Sequence, residues 1–163
     1  MRKKYAVISS IIFVIAIILI ILYIKANNSN INGWSEFKKG VIDNYTFIQD
    51  VNIDRVMPVQ INIIYNINRI PNSEEIDNIF EYTRKYLTSE DTMEGLVKYH
   101  KKKYDYSFSR IKIILHLWQQ DKKYDIEIFS SQSGGEEPKP SYFREWDIEY
   151  NHEQSKRYKT ITY

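Results

Sequence analysis

Cysteine is absent from all 163 residues. That single absence excludes disulfides, a lipobox-type lipid anchor, thiolate zinc sites and cysteine nucleophiles. Histidine is scarce: His100, His116 and His152 lie 16 and 36 residues apart, with no HExxH and no close His-x-His pair to seat a metal. The adjacent glycines of "SQSGGEE" lack the spacing and the lysine of a phosphate-binding loop. No internal repeat is visible, and the scattered serines, histidines and acids suggest no triad. No cofactor and no metal are therefore expected.

Charge is missing from one long stretch. Between Tyr5 and Ile24 no residue is charged, and only Ser9 and Ser10 are polar. Twenty helical residues span roughly 30 Å, the hydrocarbon thickness of a bilayer. Tyr5 and Tyr23 stand at the two ends, where aromatic rings favour the headgroup interface. The run exceeds a signal peptide's apolar region, and its one candidate cleavage site, "IKA", carries a lysine. An uncleaved anchor is expected. Arg2, Lys3 and Lys4 precede it while only Lys25 follows closely, a bias that holds the N-terminus in the cytoplasm. The expected organisation is a cytoplasmic 1–4, a membrane-spanning 5–24, a linker 25–33 and an extracytoplasmic domain 34–163.

The chain holds 23 Lys and Arg against 21 Asp and Glu, a net of +2. Setting aside Arg2, Lys3 and Lys4 leaves 20 against 21, or −1. The basic balance is thus a property of the anchor, and no nucleic-acid partner is expected. Without disulfides, the 163 − 24 = 139 residues beyond the anchor need a real core, which suits one domain. The abundance of Ile, Asn, Lys and Tyr resembles proteins of AT-rich bacterial genomes.

Periodicity organises that domain. A short helix is expected at 35–42, followed by irregular or edge structure. "PVQINIIYNINR" alternates, with Val59, Ile61, Ile63, Tyr65 and Ile67 on one face, as a strand with one buried side does. Asn72 and Glu75 form a capping-box pattern ahead of Ile76, Ile79, Phe80, Thr83 and Leu87 at helical spacing. Thr88 or Ser89 can cap a second helix bearing Met93, Leu96, Val97, His100 and Tyr104 on one side. Four further segments, "RIKIILHLW", "YDIEIFS", "YFREWDIEY" and "KRYKTITY", read as strands. The sum is an α+β domain, with a mainly antiparallel sheet of about four or five strands and one or two helices on one face.

Two groups of residues are candidates for contact with partners. Lys98, Lys101, Lys102 and Lys103 crowd the end of the second helix, where cations complement the helix dipole or meet an anionic surface. Ile64, Ile114, Trp118 and Phe129 point away from the face assigned to the core, among Asn, Lys, His and Glu neighbours. A hairpin closing at Asp121–Lys122 would set Ile114 opposite Phe129, His116 opposite Glu127 and Trp118 opposite Asp125. Such apolar residues on a second face need a cover, either the chain's own 34–53 segment or a protein partner or second copy. Asp147 and Glu149 are expected to face Arg157 and Lys159 across the last two strands, which accounts for them by ion pairing.

The function expected is a single-pass, membrane-anchored binding or scaffolding module of the cell envelope, without catalysis. The alternatives are an envelope enzyme acting on wall polymers through carboxylates or histidines, and a reversed topology with a cytosolic domain whose lysines touch anionic lipid.

Overall fold

The alternation of polar and apolar residues builds one continuous sheet face. In β2 (Gln60–Ile67) the side chains of Ile61, Ile63 and Tyr65 are wholly buried. Ile111, Ile113, Leu115 and Leu117 of β3 (Arg110–Gln119) continue that face. So do Ile126 and Ile128 of β4 (Lys122–Ser131), and Trp146 and Ile148 of β5 (Glu145–Tyr150). These observations come from a computed structural model that describes residues 31–119, 122–132, 137–151 and 156–161, without the side chains at 57, 118–119 and 122–124. The architecture is α+β, with a six-stranded mixed sheet and three helices.

The two expected helices form for the reasons their sequences carry. Ahead of α2 (Ser73–Leu87), the Asn72 side chain accepts from the Glu75 amide at 2.9 Å, and the Glu75 carboxylate accepts from the Asn72 amide at 3.0 Å. Arg69 grips both Glu75 oxygens, at 2.6 and 2.8 Å. That guanidinium, with the Asn72 amide, holds the Glu75 carboxyl down at about 2. Ile76, Ile79, Phe80, Thr83 and Leu87 are buried, as their spacing requires. The α3 helix (Glu90–Tyr104) starts on Ser89, whose hydroxyl accepts from the Thr92 amide, and buries Met93, Leu96, Val97 and His100. It ends where Asp105 turns left-handed, at φ 59°, a conformation that Asp tolerates.

Strands β1 to β6 lie in the sheet in chain order. All neighbours are antiparallel except β2 and β3, which run parallel. A parallel pair needs a crossover. Residues 68–109, carrying α2 and α3, supply it and return the chain to the start of β2, where the Ser109 and Arg110 amides donate to the Val59 carbonyl. The expectation of four or five strands was short because β1 (Ile48–Met57) was read as irregular. Its register slips between Ile48 and Asp50 and again between Asp54 and Met57, so the alternation that marks a strand is broken twice. The sixth strand, β6 (Lys156–Thr160), forms the other edge.

The third helix, α1 (Trp34–Asn44), covers slightly more than the expected 35–42. Its Phe37 ring stacks on Tyr86 at 4.1 Å and on Tyr82 at 5.5 Å, while Trp34 leans on both Phe37 and Tyr86. Tyr45 meets Tyr82 edge-on at 6.0 Å. Five of the chain's 24 aromatic residues thus form one ladder around α1 and α2. Burial pushes the Tyr86 hydroxyl up to about 12, and that hydroxyl donates to the Asn32 carbonyl at 3.1 Å.

Three core contacts fix how the helices meet the sheet. The Thr83 hydroxyl donates to the Ile79 carbonyl at 2.5 Å, so the Tyr65 hydroxyl is the donor in its 2.6 Å bond to Thr83. Phe80 packs edge-on against Trp146 and Tyr158, each at 5.2 Å. Arg55 lays its guanidinium 4.0 Å from the Tyr99 ring and donates to the Tyr99 carbonyl. All three place the helices on the face of Ile63, Tyr65 and Trp146. Among the described residues, no helix is long and apolar enough to cross a membrane. The expected span 5–24 lies outside them.

Candidate functional site

The opposite face of the sheet carries the apolar residues that the sequence singled out. Ile64 of β2 and Ile114 of β3 are direct neighbours in the parallel register. Both are half-buried, as is Phe129 of β4. The β3–β4 register differs by two residues from the one expected. Ile114 lies opposite Glu127, Lys112 opposite Phe129, His116 opposite Asp125 and Trp118 opposite Lys123. A shift of two leaves every residue on its expected face, but it exchanges partners. Phe129 consequently sits diagonal to Ile114, with the Lys112 ammonium 5.7 Å from its ring. Position 118 continues the same row; the side chain of Trp118 lies outside the described residues.

The observed register matches charges better than the expected one. Lys112 pairs with Glu127 at 2.6 Å, and His116 pairs through Nδ1 with the Asp125 carboxylate. Asp125 and Glu127 are only 3% and 8% exposed, which on this face of a sheet requires partners. The Asp125 amide donates to the Asn151 side chain at 3.0 Å, and the Asn151 amide returns a bond to the Asp125 carbonyl at 2.8 Å. Asn151 adopts the left-handed conformation, φ 50°, that this exchange needs. The result is a fixed imidazole–carboxylate pair, geometrically able to orient a proton acceptor. Among the described residues no group of three or more metal-ligating side chains is assembled.

The acids of β5 are partnered differently from expectation. Arg157 does face Asp147, at 2.8 Å, and also reaches Glu145 at 2.6 Å. Lys159 does not join it. Trp146 pairs with Lys159 while Asp147 pairs with Arg157, so Tyr158 is an extra residue in β6. That bulge turns Tyr158 and Lys159 to the helix side, where Lys159 lies 3.3 Å from Asp77 and 3.4 Å from Glu81. Tyr158 bonds Asp77 there, an interaction that holds the Asp77 carboxyl below its ordinary value. Glu149 stands opposite Glu127.

The 34–53 segment does not cover this face, contrary to one expectation. Trp34, Phe37 and Tyr45 pack on α2, Val41 and Phe47 are buried in the same core, and β1 extends the sheet at its edge. Its aromatic rings find their partners on Tyr82 and Tyr86, which leaves none for the far side.

The four lysines of α3 are dispersed rather than pooled. Lys98 pairs with Glu94 one turn back at 2.5 Å, and Lys101 pairs with Glu137. Lys103 donates to the Arg55 carbonyl at 3.1 Å, and Lys102 is exposed. Leu96 and Val97 between them are buried. Two clefts flank the helices. One, of about 570 Å³, is floored by Phe37, Tyr82 and Tyr86, whose faces are stacked on one another. The other, of about 580 Å³, lies between Met93 and Val97 of α3 and the 137–141 connection.

Sequence reasoning overlooked the end of the sheet beside the α3 terminus. Val56, Val59 and Tyr106 are all exposed there. The alternation had placed Val59 on the buried face with Ile61 and Ile63, but β2 starts at Gln60, which leaves Val59 in the turn before it and exposed. Comparison of the chain with protein families, with curated proteins and with solved structures found no match.

Proposed function

We propose that this chain is a membrane-anchored binding or scaffolding module of the cell envelope, held by residues 5–24, with its domain on the extracytoplasmic side. The observation that carries the binding role is the second sheet face. Ile64 and Ile114 lie side by side there, and Phe129 stands diagonal to Ile114 across the Lys112–Glu127 pair, with the His116–Asp125 pair beside them. Apolar stripes with a rim of paired charge are the usual build of a protein contact. The anchor rests on the uncharged twenty-residue run and its flanking cations.

Proximity cross-linking of the intact protein in its own membrane, read by mass spectrometry, tests the binding role. Trp118→Ser should leave melting within about 0.5 kcal/mol of the parent while abolishing the cross-link to partner or second copy. A cross-link retained in Trp118→Ser with the fold intact would overturn the reading. Protease added outside cells with permeabilised walls should remove everything beyond Lys25; protection until lysis would reverse the topology.

A second reading, an envelope enzyme acting on wall polymers, is favoured by one observation, the His116 ring oriented by the buried Asp125. Single substitutions at His116, His152, Asp147 and Glu149 separate the two. An enzyme loses function at one position with folding intact; a scaffold does not.

A further inference from the structure

The end of the domain where α3 stops gathers features that the second sheet face does not use. The Tyr104 hydroxyl and the Lys103 ammonium both bond the Arg55 carbonyl, at 2.9 and 3.1 Å. The Ser109 and Arg110 amides close on the Val59 carbonyl at 2.9 and 3.0 Å. These bonds tie the α3 terminus and the connection after it to the β1–β2 turn. Val56, Val59 and Tyr106 are thereby placed at the same end of the domain, exposed by 50%, 46% and 48%. Of the five large apolar side chains exposed among the described residues, three are here.

Cations flank the tip in the chain. Lys102, Lys103 and Arg110 are exposed and Arg55 is half-buried, against the acids Asp54 and Asp105. Four positive charges against two negative leave a local surplus of +2. Apolar side chains that sink shallowly, a tyrosine at their border and cations behind them match the layers of a bilayer surface. A polyanion such as nucleic acid would use the cations but not the valines, which offer no ring face to a base.

Chain length allows the contact. Ile31 packs on α3 at Gly95, where a Cβ would stand 3.4 Å from the Ile31 Cα. From Gly95 to Tyr104 the helix rises about 14 Å. The six residues 25–30 span up to about 20 Å when extended. A chain leaving the bilayer at Ile24 can therefore bring this tip back to the same surface.

We propose that the Val56–Val59–Tyr106 tip, with Arg55, Lys102, Lys103 and Arg110, docks on a bilayer surface carrying anionic lipid. The proposal rests on the anchored reading for its geometry, since the anchor holds the domain beside that surface. Each cation near an anionic leaflet strengthens binding about five-fold, so the contact is weak for a free domain and effective for a tethered one.

The absence of cysteine makes the test clean. Val56→Cys and Tyr106→Cys, each in the full chain, carry a polarity-sensitive NBD label; Asn78→Cys on α2 is the control. The labelled chains are reconstituted into vesicles of phosphatidylcholine alone or of phosphatidylcholine with phosphatidylglycerol. Labels at 56 and 106 should shift to the blue and resist iodide quenching only in the anionic vesicles. High salt should reverse the shift, and the control should not move. Replacing Lys102 and Arg110 together by Gln should remove much of it while thermal melting stays unchanged. Labels that remain wet in anionic vesicles, or that shift equally in neutral ones, overturn the proposal. Flotation of the same chains reports the anchor separately. Chains that float in both lipids with wet labels keep the anchor and lose the tip. Chains that float only with anionic vesicles, with shifted labels, keep the tip and lose the anchor.

Discussion

Gly40 stands in the middle of α1, where glycine costs about 1 kcal/mol relative to alanine. On helix propensity alone, Gly40→Ala should stabilise. The structure says otherwise. A Cβ built on Gly40 overlaps the Tyr82 hydroxyl oxygen, while the ring carbon bearing it remains at an ordinary 3.5 Å. Tyr82 cannot swing aside freely, because its ring is stacked on Phe37 and touched edge-on by Tyr45. Overpacking of this kind costs about 1–3 kcal/mol. The single substitution should therefore range from neutral to about 2 kcal/mol destabilising. Tyr82→Phe removes only the offending oxygen, which is half-exposed, and should fall within about 0.5 kcal/mol of the parent. The double variant should recover the propensity term and exceed Tyr82→Phe by about 1 kcal/mol. That is a coupling of about 1–3 kcal/mol opposite to additivity. Denaturant melts of the four proteins measure it, and thermal midpoints should separate by about 2–4 °C per kcal/mol. A double variant equal to the sum of the singles would refute the close approach of α1 to Tyr82, and with it the described aromatic ladder.

Two further expectations can be checked with the same melts. Leu96→Ala should cost about 2–5 kcal/mol, as a wholly buried side chain, while Lys102→Gln one turn and a half away should change stability by no more than about 0.5 kcal/mol; similar losses at both would mean the α3 face is misplaced. Glu75 carries a depressed carboxyl, about 2 against an ordinary 4.5, so its contribution is present in full above pH 4.5 and is lost as pH falls through 2. Glu75→Gln should be less stable than the parent at neutral pH, and the two melting curves should converge between pH 4.5 and pH 2; a gap independent of pH would assign the effect to something other than the Arg69 pair.

The parts of the fold that were legible in the sequence are those governed by local rules. The alternation of β2 and β3, the Asn72–Glu75 box and the buried stripe of α2 all depend on residues within a few positions of one another. The parts that were not legible break period or join distant segments. β1 is interrupted by two register slips and shows no clean repeat of two; β6 was read as a strand, but its extra residue Tyr158 hid which cation faces which acid. The parallel pairing of β2 with β3 joins positions some fifty residues apart, such as Ile64 and Ile114, through a crossover that no local pattern encodes. The candidate surface divides in the same way. Face assignment survived a register shift of two, since the side-chain repeat is two, but partner assignment did not: His116 meets Asp125 rather than Glu127. The basic tip was missed because its residues come from two segments, 55–59 and 102–110, some forty residues apart.

The order of the sheet bears on how the domain can assemble during synthesis. Strands β1 to β6 occupy the sheet in the order the chain supplies them, so no strand has to be inserted between two that are already paired. The β1–β2 hairpin can form first, with α1 laid beside it. The one long wait comes at the crossover, where 109 − 68 + 1 = 42 residues must be delivered before β3 can join β2. Non-local pairings of this kind are the slow steps of folding, and an unpaired strand edge is the exposed liability while they are pending. Until β3 arrives, the inner edge of β2 is open, and Ile61, Ile63 and Tyr65 have no neighbour on that side. Once β3 is seated, each later strand adds at the free edge through a short connection. A nascent chain would therefore be most vulnerable to aggregation, and most dependent on chaperones, during the interval in which residues 68–109 emerge.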